Sequence, residues 1–182
     1  MKFDPAIVQT RVPSPLGDII LAATASGLAG LWFAEGQRYL PKALAPALAD
    51  PAQRTPPWPD APDHPLLKQA SAQLAEYFAG RRRQFELPLD LSGGTAFQQS
   101  VWRALLAIAP GSTVSYSHIS ACIGKPGAVR AVGAAIGRNP VSLVVPCHRV
   151  LGASGALTGY AGGLDRKAAL LRLEGALSEK LL

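Results

Sequence analysis

The chain lacks acidic side chains over most of its C-terminal half. No Asp or Glu occurs between Leu91 and Leu164, although five Lys and Arg fall in that span. Residues 1–90 carry nine basic and nine acidic side chains, so the net charge of +6 lies entirely in the second half. A surface with spaced basic groups and no carboxylates is what a polyanion such as DNA or RNA would need. A generally basic composition without a ligand is the alternative.

Cysteines and long apolar runs are also scarce. The two cysteines, Cys122 and Cys147, do not suggest a secreted disulfide scaffold and favour a reducing, cytoplasmic location. The N-terminus shows no apolar signal-peptide core, and the apolar stretches are too short and too interrupted by Gly and Pro to span a bilayer. With 48% hydrophobic and 16% charged residues, the 182-residue chain should be globular.

Residues 1–91 are predicted to form a small α/β support domain without a catalytic constellation. The runs AIVQTRV, DIILAAT and GLAGLWFA are β-rich, and the turn sequences between them are typical of a meander. After a proline-rich loop at 43–65, a helix capped by Asp63 is expected to run to about Ala79, with Gly80 as its stop. RRRQFELPLDL then predicts a basic bend that enters a strand. Its arginines are interpreted as a solvated turn, with a phosphate contact as the alternative.

Residues 92–182 are predicted to form a mainly helical domain. TAFQ fits a capping box at Thr95 and Gln98, and a helix to about Ile108 should follow. SYSHISACIG and AVRAVGAAIGRNP predict two further short helices around the turn GKPG, which is the outline of a helix-turn-helix. In the first of these, Cys122 is interpreted as a small buried hydrophobe beside Ile119 and Ile123. In the second, Val129, Val132 and Ile136 should face inward.

Small residues on the outer face of the second helix would let it approach a duplex closely. They are Ala128, Ala131, Gly133 and Ala134. Arg130 lies in the first turn, where the helix dipole slightly disfavours a cation. It is either an exposed arginine without a role or a side chain directed into the nucleic acid.

The most reactive side chains stand side by side in VVPCHRV, residues 144–150. In a strand, Cys147 and His148 would point to opposite faces, so either the pair is accidental or Pro146 ends the strand and turns the backbone. A thiol needs a base to ionise at neutral pH, and the histidine then needs an orienting acceptor. Glu174 is the candidate acceptor because a carboxylate at a helix end is otherwise unfavourable, whereas Asp165 is interpreted as a capping or dipole residue. The chemistry of the residues alone leaves other uses of a Cys–His pair open.

PCHRV at 146–150, with RNP at 138–140 and GYAGG at 159–163, resembles the O6-alkylguanine-DNA alkyltransferases at that family's spacing across residues 92–175. The resemblance implies a ribonuclease-H-like α/β domain followed by a winged-helix or helix-turn-helix domain. It implies DNA repair by irreversible transfer of an alkyl group from O6 of guanine, and less well from O4 of thymine, to the protein's own cysteine. Its partner would be double-stranded DNA, bound by a monomer, with cooperative binding left open. No membrane and no cofactor are implied.

The roles of individual residues follow from the same resemblance. Cys147 matches the alkyl acceptor, His148 the base that activates it through a water, and Glu174 the partner of the histidine. Asn139 matches the asparagine that braces the turn before the active-site strand.

The remaining matches concern DNA and the base pocket. Tyr116 matches the tyrosine that crowds the phosphate beside the lesion, with an ordinary core aromatic as the alternative, and Arg130 matches the arginine that fills the vacated place in the base stack. Tyr160 and Ala161 match the lid of the guanine pocket, while the carbonyls of Val145 and Val150 would accept from the guanine amine. Ala161 departs from the serine often found there. The structural zinc ligands of some relatives are missing too, so we expect no metal site.

Two functions of other classes remain as alternatives. One is a DNA-binding lesion sensor without chemistry, against which the presence of Cys147 argues. The other is a thiol hydrolase that uses Cys, His and Glu, turns over and regenerates its free thiol.

Overall fold

The computed structural model describes residues 1–44 and 58–177, so most of the predicted proline-rich loop lies outside the described residues. Three consecutive strands form an antiparallel meander, which confirms the prediction for this region. They are β1 (Val8–Val12), β2 (Ile19–Thr24) and β3 (Gly27–Phe33), hydrogen-bonded in that order. β2 and β3 are buried along their whole length because both faces of the sheet are covered, one by a helix and the other by a cluster around Trp32.

Helix α1 (Pro65–Phe78) packs on this sheet and differs from its prediction at the N-terminus. Pro65 occupies the first helical position, where its missing N–H costs nothing, and His64 precedes it without a side-chain cap. Asp63 therefore does not cap the helix. Its carboxylate instead lies 2.7 Å from the ammonium group of Lys68 in an exposed ion pair. The stop at Gly80 is confirmed by a left-handed φ of 71°.

The strand predicted at the end of RRRQFELPLDL is wrong. A single bridge joins Leu28 to Leu89, in which Leu28 N–H donates to the carbonyl of Pro88 (2.8 Å) and Asp90 N–H donates to that of Leu28 (3.0 Å). Pro88 has no N–H with which to extend a ladder, so the pairing stops after one residue.

The second half is mainly helical, and the combination of a sheet-and-helix unit with a helical unit is the predicted fold class. Its helices are α2 (Ala96–Leu105), α3 (Tyr116–Cys122), α4 (Val129–Gly137) and α5 (Leu164–Leu173). A short parallel pair joins β4 (Val114–Ser115) to β5 (Val150–Leu151). The capping box at Thr95 and Gln98 is confirmed, but α2 ends before Ile108 because the chain tightens there into three-residue turns.

Helices α3 and α4 form the predicted pair, with two corrections to their inward faces. Cys122 is exposed, because Ile119 and Ser120 set the buried direction of α3 and Cys122 lies roughly 110° around the helix from their midpoint. Val129 is 36% exposed, because it is the first residue of α4 and lies at the edge of the face that buries Val132.

The backbone of β3 holds the segment that follows α4. Leu31 N–H donates to the carbonyl of Pro140 (2.8 Å), and Leu31 accepts from Ser142 N–H (3.0 Å). One hydrophobic core runs through both halves of the chain, and the domain boundary after residue 91 stays a prediction. No helix within residues 1–44 and 58–177 is long and apolar enough to cross a membrane.

Candidate active site

The segment before the Cys–His pair is a series of turns, so the expected active-site strand is wrong. Val145 N–H donates to the carbonyl of Val141 (2.9 Å), and Cys147 N–H donates to that of Val145 (2.8 Å). Leu143 has a left-handed φ of 67°, which helps to reverse the chain. Cys147–Arg149 then form one turn of 3-10 helix. Successive side chains in such a turn are about 120° apart instead of the 180° of a strand, so the pair need not face opposite ways.

Asn139 stabilises this turn from the end of α4. Its Nδ2 donates to the carbonyl of Val145 (2.7 Å) and lies 3.2 Å from Sγ of Cys147, while its Oδ1 accepts from Val141 N–H (3.0 Å). A single buried amide thus joins both ends of the turn to the sulfur. This geometry fits the bracing role that the resemblance implies for Asn139.

Cys147 is a buried thiol with nearby donors. Its side chain is 4% exposed, and burial raises the pKa of the thiol, opposed by the hydrogen bond from Asn139 and by the charge of Lys167. The thiol is therefore the resting form at neutral pH. Nucleophilic chemistry at Cys147 requires a base, because the thiolate is the reactive species.

His148 and Glu174 form a buried pair, which the sequence predicted. Nε2 of His148 lies 2.9 Å from Oε1 of Glu174. Burial alone would raise the pKa of Glu174, but the hydrogen bonds from His148 and Arg149 outweigh it and hold that pKa well below its usual range. Burial lowers the pKa of His148, although Glu174 opposes this effect. The pair is thus a carboxylate and a neutral imidazole.

The tautomer of His148 follows from this pairing. An ionised carboxylate only accepts hydrogen bonds, so a neutral ring must donate from Nε2 and carry its lone pair on Nδ1. Nδ1 is buried and makes no hydrogen bond to any residue that the structure describes. The basic atom of His148 is therefore free to take a proton from a group beside it.

Arg149 is a site residue that the sequence reasoning missed. Its Nε and Nη2 donate to the two oxygens of Glu174 at 2.7 and 2.8 Å, and Nη1 donates to the carbonyl of Ile108 (2.5 Å). This buried, bidentate ion pair neutralises Glu174 without protonating His148. A signal was available, because a carboxylate expected beside buried residues needs a counter-charge and Arg149 adjoins the expected base.

Tyr77 also reaches this carboxylate, from the N-terminal half. Its hydroxyl donates to Oε1 of Glu174 at 2.8 Å, and both side chains are buried. Residues 1–91, predicted as a support domain without a catalytic constellation, thus contribute one hydrogen bond to the carboxylate. Tyr77 appears in the sequence only as one member of an apolar helical stripe, so nothing local distinguishes its hydroxyl.

Lys167 is the second missed cation. Its side chain in α5 is fully buried, and Nζ donates to the carbonyls of Val150 (2.5 Å), Thr158 (2.6 Å) and Gly159 (3.3 Å). Burial lowers the pKa of Lys167 to about 8. Through these hydrogen bonds the ammonium group links β5 to the GYAGG segment and the residue before it. It also places positive charge near Cys147.

Two of the four predicted pocket residues, Tyr160 and Ala161, line a cavity of about 180 Å³, and Val145 and Val150 do not. Its lining from the second half of the chain includes Tyr116, Gly133, Gly159, Tyr160 and Ala161. Arg38 and Tyr39 from the first half also line it. The hydroxyl of Tyr116 donates to the carbonyl of Thr158 (3.2 Å). Burial raises the pKa of both Tyr116 and Tyr160, and charge on nearby Cys147 would raise both further. The two tyrosines of the cavity wall therefore lie within electrostatic range of the thiol, although Cys147 itself does not line the cavity.

The carbonyls predicted to bind a guanine amine are already engaged. That of Val145 accepts from Asn139 (2.7 Å) and that of Val150 accepts from Lys167 (2.5 Å). The Val145 carbonyl also accepts from Cys147 N–H (2.8 Å), so both of its lone pairs are occupied. The role of the two carbonyls toward a base stays a prediction.

The predicted DNA-binding residues lie together on α4 and the residue before it. Arg130, Ala131 and Ala134 are exposed, and Ala128 and Gly133 are half-buried. A side chain at Gly133 would lie 3.7 Å from the ring of Tyr116. The structure thus brings Arg130, the small outer face and Tyr116 to one surface, while their contacts with DNA stay predictions. Among the described residues no three His, Cys, Asp or Glu gather as metal ligands.

Two family models match the chain. Residues 7–91 match the model described as 6-O-methylguanine DNA methyltransferase, ribonuclease-like domain. Residues 96–176 match the one described as 6-O-methylguanine DNA methyltransferase, DNA binding domain.

Curated relatives and solved structures carry corresponding names. The methylated-DNA–protein-cysteine methyltransferase of Mycobacterium bovis is 49% identical over 163 residues, which cover 90% of this chain and 89% of the relative. That of Methanosarcina barkeri is 43% identical over 163 residues, covering 90% and 94%. The crystal structure of Mycobacterium tuberculosis OGT in complex with DNA superposes with a TM-score of 0.79 at 46% identity, covering 93% of each chain.

Proposed function

The chain belongs to the 6-O-methylguanine DNA methyltransferase family, and from this premise we propose that Cys147 accepts the alkyl group during DNA repair. Methylated-DNA–protein-cysteine methyltransferase activity, with DNA as the partner, follows from membership of the family. The observation that carries the assignment to Cys147 is the buried connection between Asn139 and Sγ, beside the paired His148 and Glu174. The other cysteine, Cys122, lies 3.4 Å from Nε2 of His118, but both of these residues are exposed, in contrast to the buried Cys147 and His148.

The first step is ionisation of Cys147. Nδ1 of His148 takes the thiol proton through a bridging water, and the imidazolium is stabilised by Glu174 through the Nε2 hydrogen bond at 2.9 Å. Asn139 and Lys167 stabilise the thiolate. The base and its partner are fully buried, so their interaction is stronger than it would be in water.

The second step is displacement at the alkyl carbon. The thiolate forms an S–C bond as the C–O6 bond breaks, and the electron pair of that bond goes to the guanine, which then takes up a proton. Tyr116, which lines the cavity and is close enough to Cys147 for a charge there to raise its pKa, is the proposed donor of that proton. The resulting thioether has no hydrolytic exit, so each protein molecule acts once and no cofactor takes part.

Access to the lesion requires the base to leave the helix stack, because the O-alkyl carbon cannot be attacked inside a duplex. The exposed, small outer face of α4 supports close approach to double-stranded DNA, with Arg130 filling the vacated place. Tyr160 and the backbone at Ala161 then hold the flipped guanine, and O4-alkylthymine is a poorer substrate of the same pocket.

A titration of repaired lesions against protein tests this function. With excess duplex containing O6-methylguanine, the wild type should repair one lesion per molecule, and Cys147→Ala should repair none while Cys122→Ala matches the wild type. Repair of many lesions per molecule would identify a turnover hydrolase. Binding without repair would identify a lesion sensor.

A further inference from the structure

The carboxylate of Glu174 accepts hydrogen bonds from both halves of the chain. Three donors share its Oε1: Nη2 of Arg149 (2.8 Å), Nε2 of His148 (2.9 Å) and the hydroxyl of Tyr77 (2.8 Å). Arg149 and His148 belong to the same 3-10 turn, so they approach together. Tyr77 comes from α1 in the other half of the chain, 97 residues away in sequence.

The Tyr77 hydroxyl is held in place by the packing of its ring. The ring is 2% exposed and makes an edge contact with Phe78 (5.4 Å between centroids) and a tilted contact with Phe85 (5.2 Å). Phenylalanine would preserve this packing, so the apolar stripe of α1 does not explain the hydroxyl. The hydroxyl stays a donor because burial and the charge of Glu174 both raise the pKa of Tyr77.

We propose that Tyr77 is a positioning residue of the proton relay, which sets the basicity of His148 through Glu174. Its hydroxyl withdraws negative charge from the same oxygen that accepts the His148 N–H. Loss of this hydrogen bond leaves more charge on Oε1 and stabilises the imidazolium, so the pKa of His148 should rise. The support half of the chain thereby becomes part of the site, an inference that rests on the proposed role of His148 as base.

The charged groups around His148 stay the same in Tyr77→Phe, so they do not mask a change in the pKa of His148. Arg149 on its own turn and Lys167 on α5 both disfavour the imidazolium, and Glu174 favours it. Cys147 precedes it in the chain, and Tyr160 presents its ring at 6.5 Å in an edge contact. Tyr77 itself carries no charge, so Tyr77→Phe changes a hydrogen bond and leaves the number of charges constant.

The direct test is the NMR titration of the histidine rings in the wild type and in Tyr77→Phe. The chain has only three histidines, so the ring signals of His148 are to be distinguished from those of His64 and His118 alone. We expect the pKa of His148 to rise by about half to one unit in the variant. Leu74→Val, which removes a methylene group from the buried face of α1 and keeps the Tyr77 hydroxyl, should leave the pKa of His148 unchanged.

The second readout is the single-turnover rate of alkyl transfer from about pH 5 to about pH 9. The acid limb should move upward in Tyr77→Phe by the same half to one unit or so, and should stay in place in Leu74→Val. An unmoved His148 titration would overturn the proposal, and so would a moved titration with an unmoved acid limb. Absence of transfer in the wild type would instead refute the proposed function, and the NMR result would stand independently of it.

Discussion

Arg149 and Glu174 form a buried, bidentate ion pair with N–O distances of 2.7 and 2.8 Å, directly beside the proposed catalytic base. Removal of one partner from such a pair leaves an uncompensated charge that costs about 3–5 kcal/mol, whereas removal of both charges costs much less. Because His148 is neutral and buried, Arg149 is the cation that keeps Glu174 ionised at neutral pH.

Arg149→Met should therefore lower the free energy of unfolding by about 3 kcal/mol. Arg149→Met combined with Glu174→Gln should recover part of this loss, because the amide carries no charge but still accepts from His148 and Tyr77. Urea unfolding of the two variants and the wild type measures both effects. A double variant that is less stable than Arg149→Met would contradict the account.

The stability of the protein should fall as the pH drops below neutrality. The folded-state pKa of Glu174 and that of His148 are both lower than in the unfolded chain, so the unfolded state binds more protons over this range. The contribution of His148 is present above about pH 6.5 and that of Glu174 above about pH 4.3, and each is lost as the pH falls toward its folded-state pKa.

Urea unfolding at several pH values from neutral to acidic measures this loss. His148→Gln should flatten the dependence near pH 6, and His118→Gln, which alters an exposed histidine, should follow the wild type. Equal slopes for His148→Gln and the wild type would show that His148 is not a buried neutral base.

The two thiols should differ sharply in their reaction with iodoacetamide. Cys122 is exposed, whereas Cys147 is buried and burial raises its pKa. Alkylation followed by peptide mass spectrometry should therefore find Cys122 modified first, by at least about tenfold, in the folded protein. The difference should disappear in denaturant. Faster labelling of Cys147 would mean that its thiolate is already populated at rest.

Arg130→Ala should slow the repair of duplex O6-methylguanine much more than transfer from the free alkylated base. The reason is that Arg130 is proposed to act on the base stack and not on the transferred group. Arg11→Ala is the matched control, because it removes an exposed arginine on β1 that pairs with Asp18. Equal losses on both substrates would argue against the role of Arg130 in the stack.

Local sequence signals predicted much of the fold. The β-rich runs, the capping box at Thr95 and the pair of short helices each depend on neighbouring residues, and the structure confirms them. The predictions of an Asp63 cap and of a strand after RRRQFE were wrong because a proline altered the local backbone in each case. Pro65 occupies the first position of α1, so Asp63 lies outside the helix. Pro88 limits the predicted strand to a single bridge.

The candidate site could be predicted only in part, because some of its residues stand out in the sequence and others do not. Cys147, His148 and Glu174 could be selected because each stands out chemically from its surroundings. Tyr77 could not, because its hydroxyl meets Glu174 only after α1 packs against the second half of the chain. Lys167 looks like an ordinary helical lysine, and its three carbonyl acceptors come together only in the folded chain.

The most direct test of alkyl transfer to Cys147 is the intact mass of the protein after reaction with duplex DNA that carries O6-methylguanine. We expect the addition of one methyl group, located by peptide mapping on Cys147, in proportion to the lesions repaired. Repaired DNA with an unmodified protein, or a methyl group on Cys122, would contradict this expectation.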